Sequence, residues 1–218
     1  MSEKPILFSG PMVRAILDGR KTMTRRVMKF NAKQCKDWGI TGSADAYDVT
    51  PHSDGKAWGF LVAGDMGYAD VKCPYGGPGD RLWVREAFRY WFQEDVLMDC
   101  IDYAAGGAPM KPEGLDFDTG MRFSERCAAD SKFRPSIHMP RWASRLTLEV
   151  TTVRVERLQD ISEADARAEG CPVECQEGNA VDWFSGLWDG INAKCGYGWD
   201  SNPWVWVIEF KTTTKEMR

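Results

Sequence analysis

The residues with the most chemical potential in this sequence lie together, directly after a short predicted helix. Lys21 supplies an amine or ammonium group, and Thr24 supplies a hydroxyl three residues later. Side chains of these types can bind an anion or a hydrogen-bonding ligand when a scaffold holds them in place. The same segment contributes four further candidate binding residues, which are Arg20, Thr22, Arg25 and Arg26.

The element that would position this segment is a helix that begins at Pro11 and stops at Gly19. Proline suits the first position of a helix, and glycine suits the position just after its end. Apolar residues recur at the spacing of one helical face, which predicts that the helix packs against a core. The residues of that face are Met12, Val13, Ile16 and Leu17.

The composition is that of a globular protein whose charge is unevenly distributed. The chain has 218 residues, of which 43% are hydrophobic and 28% charged, so it is long enough to bury a core. A net charge of −4 argues against a protein that coats DNA non-specifically, since such a domain is basic. Between Arg14 and Lys36, however, Asp18 is the one acid among many cations. Such a local basic patch favours a small anion or a short nucleic-acid segment.

Cysteine usage and hydropathy predict a cytoplasmic protein with reduced thiols. No run of about 18 apolar residues occurs, and the N-terminus lacks the apolar core of a signal peptide. Cys171 and Cys175 have a loose ligand spacing, but no second pair matches them and both histidines are distant in sequence. We therefore expect no metal and no cofactor.

The pattern of elements predicts an α+β fold that is mainly β, with a partly closed mixed β-barrel and flanking helices. Strands and helices do not alternate, which argues against a doubly wound α/β sheet. The alternation slips near Thr151 and Thr152 in the longest predicted strand, which indicates a β-bulge. The first and last strands are expected to pair. Strands are predicted at 4–8, 58–62, 68–72, 81–86, 87–92, 145–158 and 202–210, and helices at 11–18, 162–170 and 179–191.

Two stretches without clear periodicity are predicted to be loop-rich insertions in a single domain that covers residues 1–218. They span about residues 31–57 and 93–135, and the second contains one short predicted strand at 100–104. Between the strands at 58–62 and 68–72 the sequence predicts a hairpin turn.

Residues 19–26 resemble the signature of ASCH domains, which belong to the PUA-like superfamily. That signature reads Gly-x-Lys-x-x-Glu-x-Arg, and Gly19, Lys21 and Arg26 match it. Thr24 occupies the position at which most of these domains have glutamate. The same departure is found in a subgroup of small bacterial N4-acetylcytidine amidohydrolases, whose motif reads Gly-Arg-Lys-Thr-x-Thr-x-Arg. This chain is considerably longer than those enzymes.

Other segments resemble the longer ASCH proteins of phages and prophages, and that resemblance covers nearly the whole chain. It implies a phage or prophage origin and, in that case, a location in the host cytoplasm. The segments that carry it are residues 78–86, 139–142, 161–168 and 202–206.

The amidohydrolase subgroup implies roles for three residues of this chain. Its proposed catalytic groups are a lysine and a threonine of the motif and a glutamate in a later helix. By motif match these roles fall on Lys21, Thr24 and Glu169, although Glu163 lies close to the glutamate position. Thr24 would attack the acyl carbonyl, and Glu169 would donate a proton to the leaving amine. Lys21 would act as a base, which requires a lowered pKa, or would stay charged and stabilise an oxyanion.

A predicted strand contributes the remaining substrate-binding candidates. Trp83 has a competing role in the core, whereas Arg85 or Glu86 could face a cleft. Arg26 likewise has a competing role as a structural ion pair.

Three functions remain open from the sequence. The first is an amidohydrolase that acts on an N4-acetylcytidine-like nucleoside, and Thr24 favours it. The second is a non-catalytic PUA-like module that binds single-stranded RNA or a modified nucleotide through aromatic and arginine side chains. The third is a phage accessory protein that binds a host protein through its insertions.

Overall fold

The computed structural model describes residues 2–29, 46–51, 57–62, 68–93, 98–111, 117–129, 132–175 and 179–213. Its strands are β1 (Glu3–Leu7), β2 (Met23–Val27), β3 (Ala46–Pro51), β4 (Ala57–Val62), β5 (Tyr68–Lys72), β6 (Arg81–Arg85), β7 (Phe88–Gln93), β8 (Met98–Tyr103), β9 (Thr147–Arg157) and β10 (Trp204–Thr212). Its α-helices are α1 (Gly10–Leu17), α2 (Phe117–Ala129), α3 (Glu163–Ala168) and α4 (Ala180–Asn192). The fold is α+β, with sheets predominating and helices flanking them.

The main sheet has five strands in the order β1-β6-β9-β10-β2. β1 and β6 are parallel, and the other neighbouring strands are antiparallel. The expected pairing of the first and last strands is wrong, because both edges of β10 are occupied by β9 and β2. β1 and β2 are instead the two outer strands, so hydrogen bonding between described strands does not close this sheet into a barrel.

A side chain, rather than a strand ladder, links the two outer strands. The Nη2 atom of Arg26 in β2 donates a hydrogen bond of 2.6 Å to the carbonyl oxygen of Leu7 in β1. The helix α1 connects these two strands in sequence, and its apolar residues Met12, Val13 and Ile16 pack against one face of the sheet. The predicted helix and its stop at Gly19 are confirmed, because Gly19 adopts a φ of +73°.

The main sheet has an inner and an outer face with separate apolar clusters. The inner face packs α1 against Trp206 and Ile208 of β10. The outer face packs α3 and α4 against Val205 and Val207 of the same strand. Successive residues of a strand point to opposite faces, so β10 contributes to both clusters.

The predicted bulge is present at Thr151, and it decides which side chains of β9 face the outer layer. Glu209 of β10 pairs with Thr152 and Phe210 pairs with Val150, so Thr151 has no opposite residue in the ladder. The extra residue changes the alternation, so Val153 joins the inner cluster together with Val150. The residues that follow on the outer side are Arg154 and Glu156.

Two further sheets lie outside the main one, and they change two expectations. The predicted hairpin is confirmed by β4 and β5, while the turn at 63–67 lies outside the described residues. The expectation of a loop-rich stretch at 31–57 is wrong over residues 46–51, because β3 pairs with β4 there. Residues 30–45 lie outside the described part.

The stretch 93–135 is more regular than its composition indicates. The predicted short strand is confirmed as β8, which pairs with β7, but the 13-residue helix α2 was not expected. Its Phe123 packs against Tyr90 in a third apolar cluster. Few apolar residues are enough for this helix because only one side of it is covered by the β7-β8 sheet. No described helix is long and apolar enough to cross a membrane.

Candidate functional site

A cavity of about 970 Å³ opens at the β2 edge of the main sheet. It is lined by residues of both layers, among them Phe8 and Trp206 from the inner side and Phe184 and Trp188 from α4. All three residues that the resemblance implies as catalytic line this cavity. They are Lys21, Thr24 and Glu169. The fold thus brings together groups that are 148 residues apart in sequence.

Lys21 and Glu169 form a buried ion pair at this cavity. The Nζ atom of Lys21 donates to the Glu169 carboxylate at 2.6 Å and to the Glu169 backbone carbonyl at 2.8 Å. Their side chains are 2% and 4% exposed, respectively. Two of the three Nζ protons therefore bind Glu169, and the third can serve a ligand.

The backbone next to this pair requires a glycine. Gly170 follows Glu169 with a φ of +100°, and a Cβ atom there would lie 3.0 Å from the Cβ of Ala15 and 3.1 Å from that of Lys21. On the other side, the amide of Lys21 donates to the Ala15 carbonyl at the end of α1. Helix α1 and the end of α3 thus hold the two charged side chains from opposite sides.

Burial and the charge of Glu169 shift the pKa of Lys21 in opposite directions. Burial lowers the pKa of Lys21 because the charged ammonium loses its hydration, and this is the largest effect. The Glu169 carboxylate raises the same pKa through its charge and its hydrogen bond, while Arg25 and Arg26 lower it slightly. The net direction is downward, which favours the neutral amine that a base requires.

Arg25 holds the other oxygen of the Glu169 carboxylate. Its Nη1 atom lies 3.4 Å from Oε1 of Glu169, and its Nη2 atom donates to Asp165 at 2.8 Å and to Glu156. Arg154 contacts both Asp165 and Glu156. Arg25 lines the cavity, as a substrate-binding residue should, but its donors are engaged by protein acids, so in this structure it positions Glu169.

The local structure of α3 explains why Asp165 is available for this network. Ser162 caps the helix, since its hydroxyl accepts a 3.1 Å hydrogen bond from the amide of Asp165. The predicted helix start is thereby confirmed. In a reciprocal capping box the Asp165 carboxylate would accept a hydrogen bond from the Ser162 amide. Here it binds Arg25 and Arg154 instead.

Thr24 lies in the middle of β2, opposite Ile208 of β10, and therefore on the inner face. The residue is 4% exposed, and its hydroxyl forms no hydrogen bond to any described residue. A cavity-lining hydroxyl in that state can bind or attack a ligand.

Arg26 follows on the same face and combines a structural contact with unused donors. Its guanidinium carbon lies 5.1 Å from the centre of the Phe8 ring, and its Nη2 binds Leu7 as described above. The buried Nε atom has no hydrogen-bond partner among the described residues. Burial lowers the pKa of Arg26, although a guanidinium stays charged under ordinary conditions.

Arg20 and Thr22, also predicted to bind substrate, do not line the cavity. Arg20 donates to the Gly170 carbonyl at 3.0 Å and to the carboxylate of Asp18 at 2.9 Å. Thr22 is exposed, and its backbone bonds to Ala168 and Phe210. Both residues thus belong to the loop between α1 and β2 and lie outside the cavity that Lys21 lines.

The predicted binding residues on β6 and just after it, Trp83, Arg85 and Glu86, also lie outside the cavity. Trp83 is buried, and Arg85 lies over its ring while donating to the Met139 carbonyl at 3.1 Å. Glu86 accepts two hydrogen bonds of 2.8 and 2.9 Å from Arg145. Burial raises the pKa of the Glu86 carboxyl, against the effect of Arg145. None of the three lines the cavity, since β6 is separated from β2 by two strands of the sheet.

Several cavity residues were not predicted from the sequence. Lys29 lies just beyond the end of β2, and Lys72 ends β5. Tyr75 follows Lys72 in the turn that leads to β6. Lys29 belongs to the basic stretch between Arg14 and Lys36, whereas nothing in the local sequence marks Lys72 or Tyr75.

The described part of the chain contains no group of three or more His, Cys, Asp or Glu residues arranged to hold a metal ion. Cys171 is buried and Cys175 partly buried, and both thiols are free. Burial raises the pKa of Cys171 to about 12, and a hydrogen bond with Cys175 acts in the same direction. A thiol in this state is a poor ligand and a poor nucleophile.

Comparison with known proteins gave one match among solved structures. No protein-family model and no curated protein matches the sequence. The crystal structure of an ASCH domain from Lactobacillus crispatus JV V101 is similar to this chain, with 12% sequence identity and a TM-score of 0.35. The match covers 98% of this chain and 80% of that one.

Proposed function

We propose that this chain is an ASCH-type amidohydrolase that removes an acyl group from the exocyclic amine of a cytidine-like nucleoside. The observation that supports it best is that Lys21, Thr24 and Glu169 line one cavity, with Lys21 and Glu169 paired at 2.6 Å. Aromatic residues of the same cavity offer faces on which a base can stack. The aromatic residues are Phe8, Tyr75, Phe184, Trp188 and Trp206.

The buried pair supplies both a base and an acid. Transfer of one proton from the Lys21 ammonium to the Glu169 carboxylate gives a neutral amine and a neutral acid. Burial lowers the pKa of Lys21 and so reduces the cost of this transfer. Thus Glu169 can accept a hydrogen bond from Lys21 in the resting state and still donate a proton during the reaction.

The first half of the reaction forms an acyl-threonine. The Lys21 amine takes the proton of the Thr24 hydroxyl as its oxygen bonds to the acyl carbon. The carbon–nitrogen bond then breaks, and the leaving amine takes the proton from Glu169. At this stage Lys21 is again charged and Glu169 ionised.

The second half repeats the same proton movements with water. After a second transfer from Lys21 to Glu169, Lys21 takes a proton from water as the water oxygen attacks the ester. Thr24 leaves and takes the proton from Glu169, and the carboxylic acid is released. The pair returns to its starting state, so the cycle requires no group beyond water.

The test is release of cytidine from N4-acetylcytidine, followed by chromatography. Thr24→Ala is expected to abolish turnover, whereas Thr22→Ala is a matched control because Thr22 is exposed and outside the cavity. Thr24→Ser should retain part of the activity, and brief reaction with substrate should add an acyl mass to the peptide that contains Thr24. Lys21→Ala is expected to reduce kcat by roughly 10²–10⁴-fold, the usual contribution of a general base.

Two results would reject the amidohydrolase. One is the absence of cytidine release by the wild-type chain, and the other is release that is unchanged in Thr24→Ala. Thermal melting of each variant would show whether a loss of activity reflects a loss of folding.

A second candidate is a PUA-like module that binds RNA or a modified base without turnover. The cations and aromatic rings that line the cavity favour it, since single-stranded nucleic acids bind through phosphate contacts and stacking. RNA binding that is lost in Arg26→Ala, in a chain without hydrolytic activity, would support this candidate over the first.

A further inference from the structure

The lining of the cavity has an excess of positive charge that the proposed hydrolysis does not use. Among the described residues that line it, five side chains are cationic and one is acidic, although the chain as a whole carries a net charge of −4. The acid is Glu169, and the cations are Lys21, Arg25, Arg26, Lys29 and Lys72.

The cations differ in whether the protein already neutralises them. Lys21 is paired with the buried Glu169, and Arg25 is paired with the half-buried Glu156 and Asp165. Lys29 and Lys72 are exposed, and neither forms an ion pair with a described residue. Arg26 binds a backbone carbonyl and lies over the Phe8 ring, but it forms no ion pair with a described residue, and its Nε has no partner among them. Three cations therefore remain available to an anion.

The part of the cavity that Arg26, Lys29 and Lys72 line is its positive end. It is displaced along β2 from Thr24, where the proposed reaction takes place. Residues of a strand advance by about 3.3 Å each, so the Cα atom of Arg26 lies roughly 7 Å beyond that of Thr24. Lys29 lies three residues further along, and its flexible side chain can reach back. A ligand whose base contacts Thr24 would thus direct its other end towards Arg26 and Lys29.

We propose that this end of the cavity binds the phosphate of a nucleotide, so that the preferred ligand is a cytidine phosphate rather than the free nucleoside. This inference rests on the proposed function for the position of the base. A phosphate group has several strong acceptor oxygens, which suit a site with one guanidinium and two mobile ammonium groups. A free mononucleotide and the phosphate of a short RNA share this chemistry.

The test compares the binding of cytidine and cytidine 5′-monophosphate to the full chain by isothermal titration calorimetry. The phosphate is expected to tighten Kd by about tenfold at low salt, which corresponds to about 1.4 kcal/mol. The double variant Lys29→Gln, Lys72→Gln should lose most of this difference. Lys111→Gln is a matched control, because Lys111 is exposed and does not line the cavity.

The outcomes separate the phosphate site from the hydrolysis. Equal Kd values for the two ligands, no binding of either, or an unchanged preference in the double variant would overturn the phosphate site. A preference for the monophosphate without any release of cytidine from N4-acetylcytidine would support the site and reject the hydrolysis. A cytidine-containing oligonucleotide titrated in parallel shows which source of phosphate binds more tightly.

Discussion

Replacement of Glu169 by glutamine removes the charge that faces Lys21 and keeps the size of the side chain. The two side chains are 2% and 4% exposed, so water can replace only a small part of the lost interaction. Removal of one partner of a buried ion pair typically costs about 3–5 kcal/mol, because the remaining charge is left uncompensated. Arg25 retains Glu156 and Asp165, so the loss falls mainly on Lys21.

The same variant should change how stability depends on pH. Burial already lowers the pKa of Lys21 below its ordinary value of 10.5. Between the lowered pKa and 10.5 the unfolded chain binds more protons than the folded one, so stability rises with pH in that window. Glu169→Gln removes the charge that raises this pKa, which widens the window towards neutral pH. Each pH unit by which the window widens adds at most about 1.4 kcal/mol to the change in the free energy of unfolding across it.

The assay is urea denaturation of the wild-type chain and of Glu169→Gln between pH 6 and 10. We expect the variant to be destabilised most at pH 6 and to approach the wild type as pH rises. Glu149→Gln is the matched control, since Glu149 pairs with the exposed Lys211 and should lose at most about 1 kcal/mol. The reasoning is refuted if the free energy of unfolding of Glu169→Gln stays within about 0.5 kcal/mol of the wild-type value at every pH. That difference is roughly the effect of an ordinary surface substitution.

Two predictions concern the backbone that holds the pair. Gly170→Ala should lower the free energy of unfolding by about 1–3 kcal/mol in urea titrations, because its φ is +100° and a Cβ would lie 3.0 Å from Ala15. Gly196→Ala is the comparison, with a φ of +84° and nothing within 4 Å, and an equal loss at both positions would contradict the steric argument. Ser162→Ala should cost about 1 kcal/mol by removing the cap on the Asp165 amide, while Ser162→Asp should preserve stability.

Local features were predicted well because neighbouring residues determine them. The stop of α1 at Gly19, the cap at Ser162 and the bulge at Thr151 depend on backbone preferences or on alternation within a few residues. The pairing of β1 with β6 could not be found in this way, because it joins segments about 80 residues apart by an ordinary ladder. Helix α2 was missed because its mean hydropathy is low, although its apolar residues recur on one side.

Only part of the candidate site could be predicted, because the sequence gives the residue types but not the directions of their side chains. Residue types and a motif identified Lys21, Thr24 and Glu169, but they equally suggested Arg20 and Trp83, which lie away from the cavity. Side-chain types state what chemistry is available, whereas the direction of each side chain depends on the sheet.

The sequence by itself determined the short elements and the set of reactive groups after α1. Only the tertiary structure decided that a lysine at the end of α1 meets a glutamate 148 residues later, and that Arg25 positions this glutamate. The physical reason is that ion pairs are made across space between layers that apolar burial brings together. Burial also sets the direction of the Lys21 pKa shift, and the degree of burial exists only once the chain has folded.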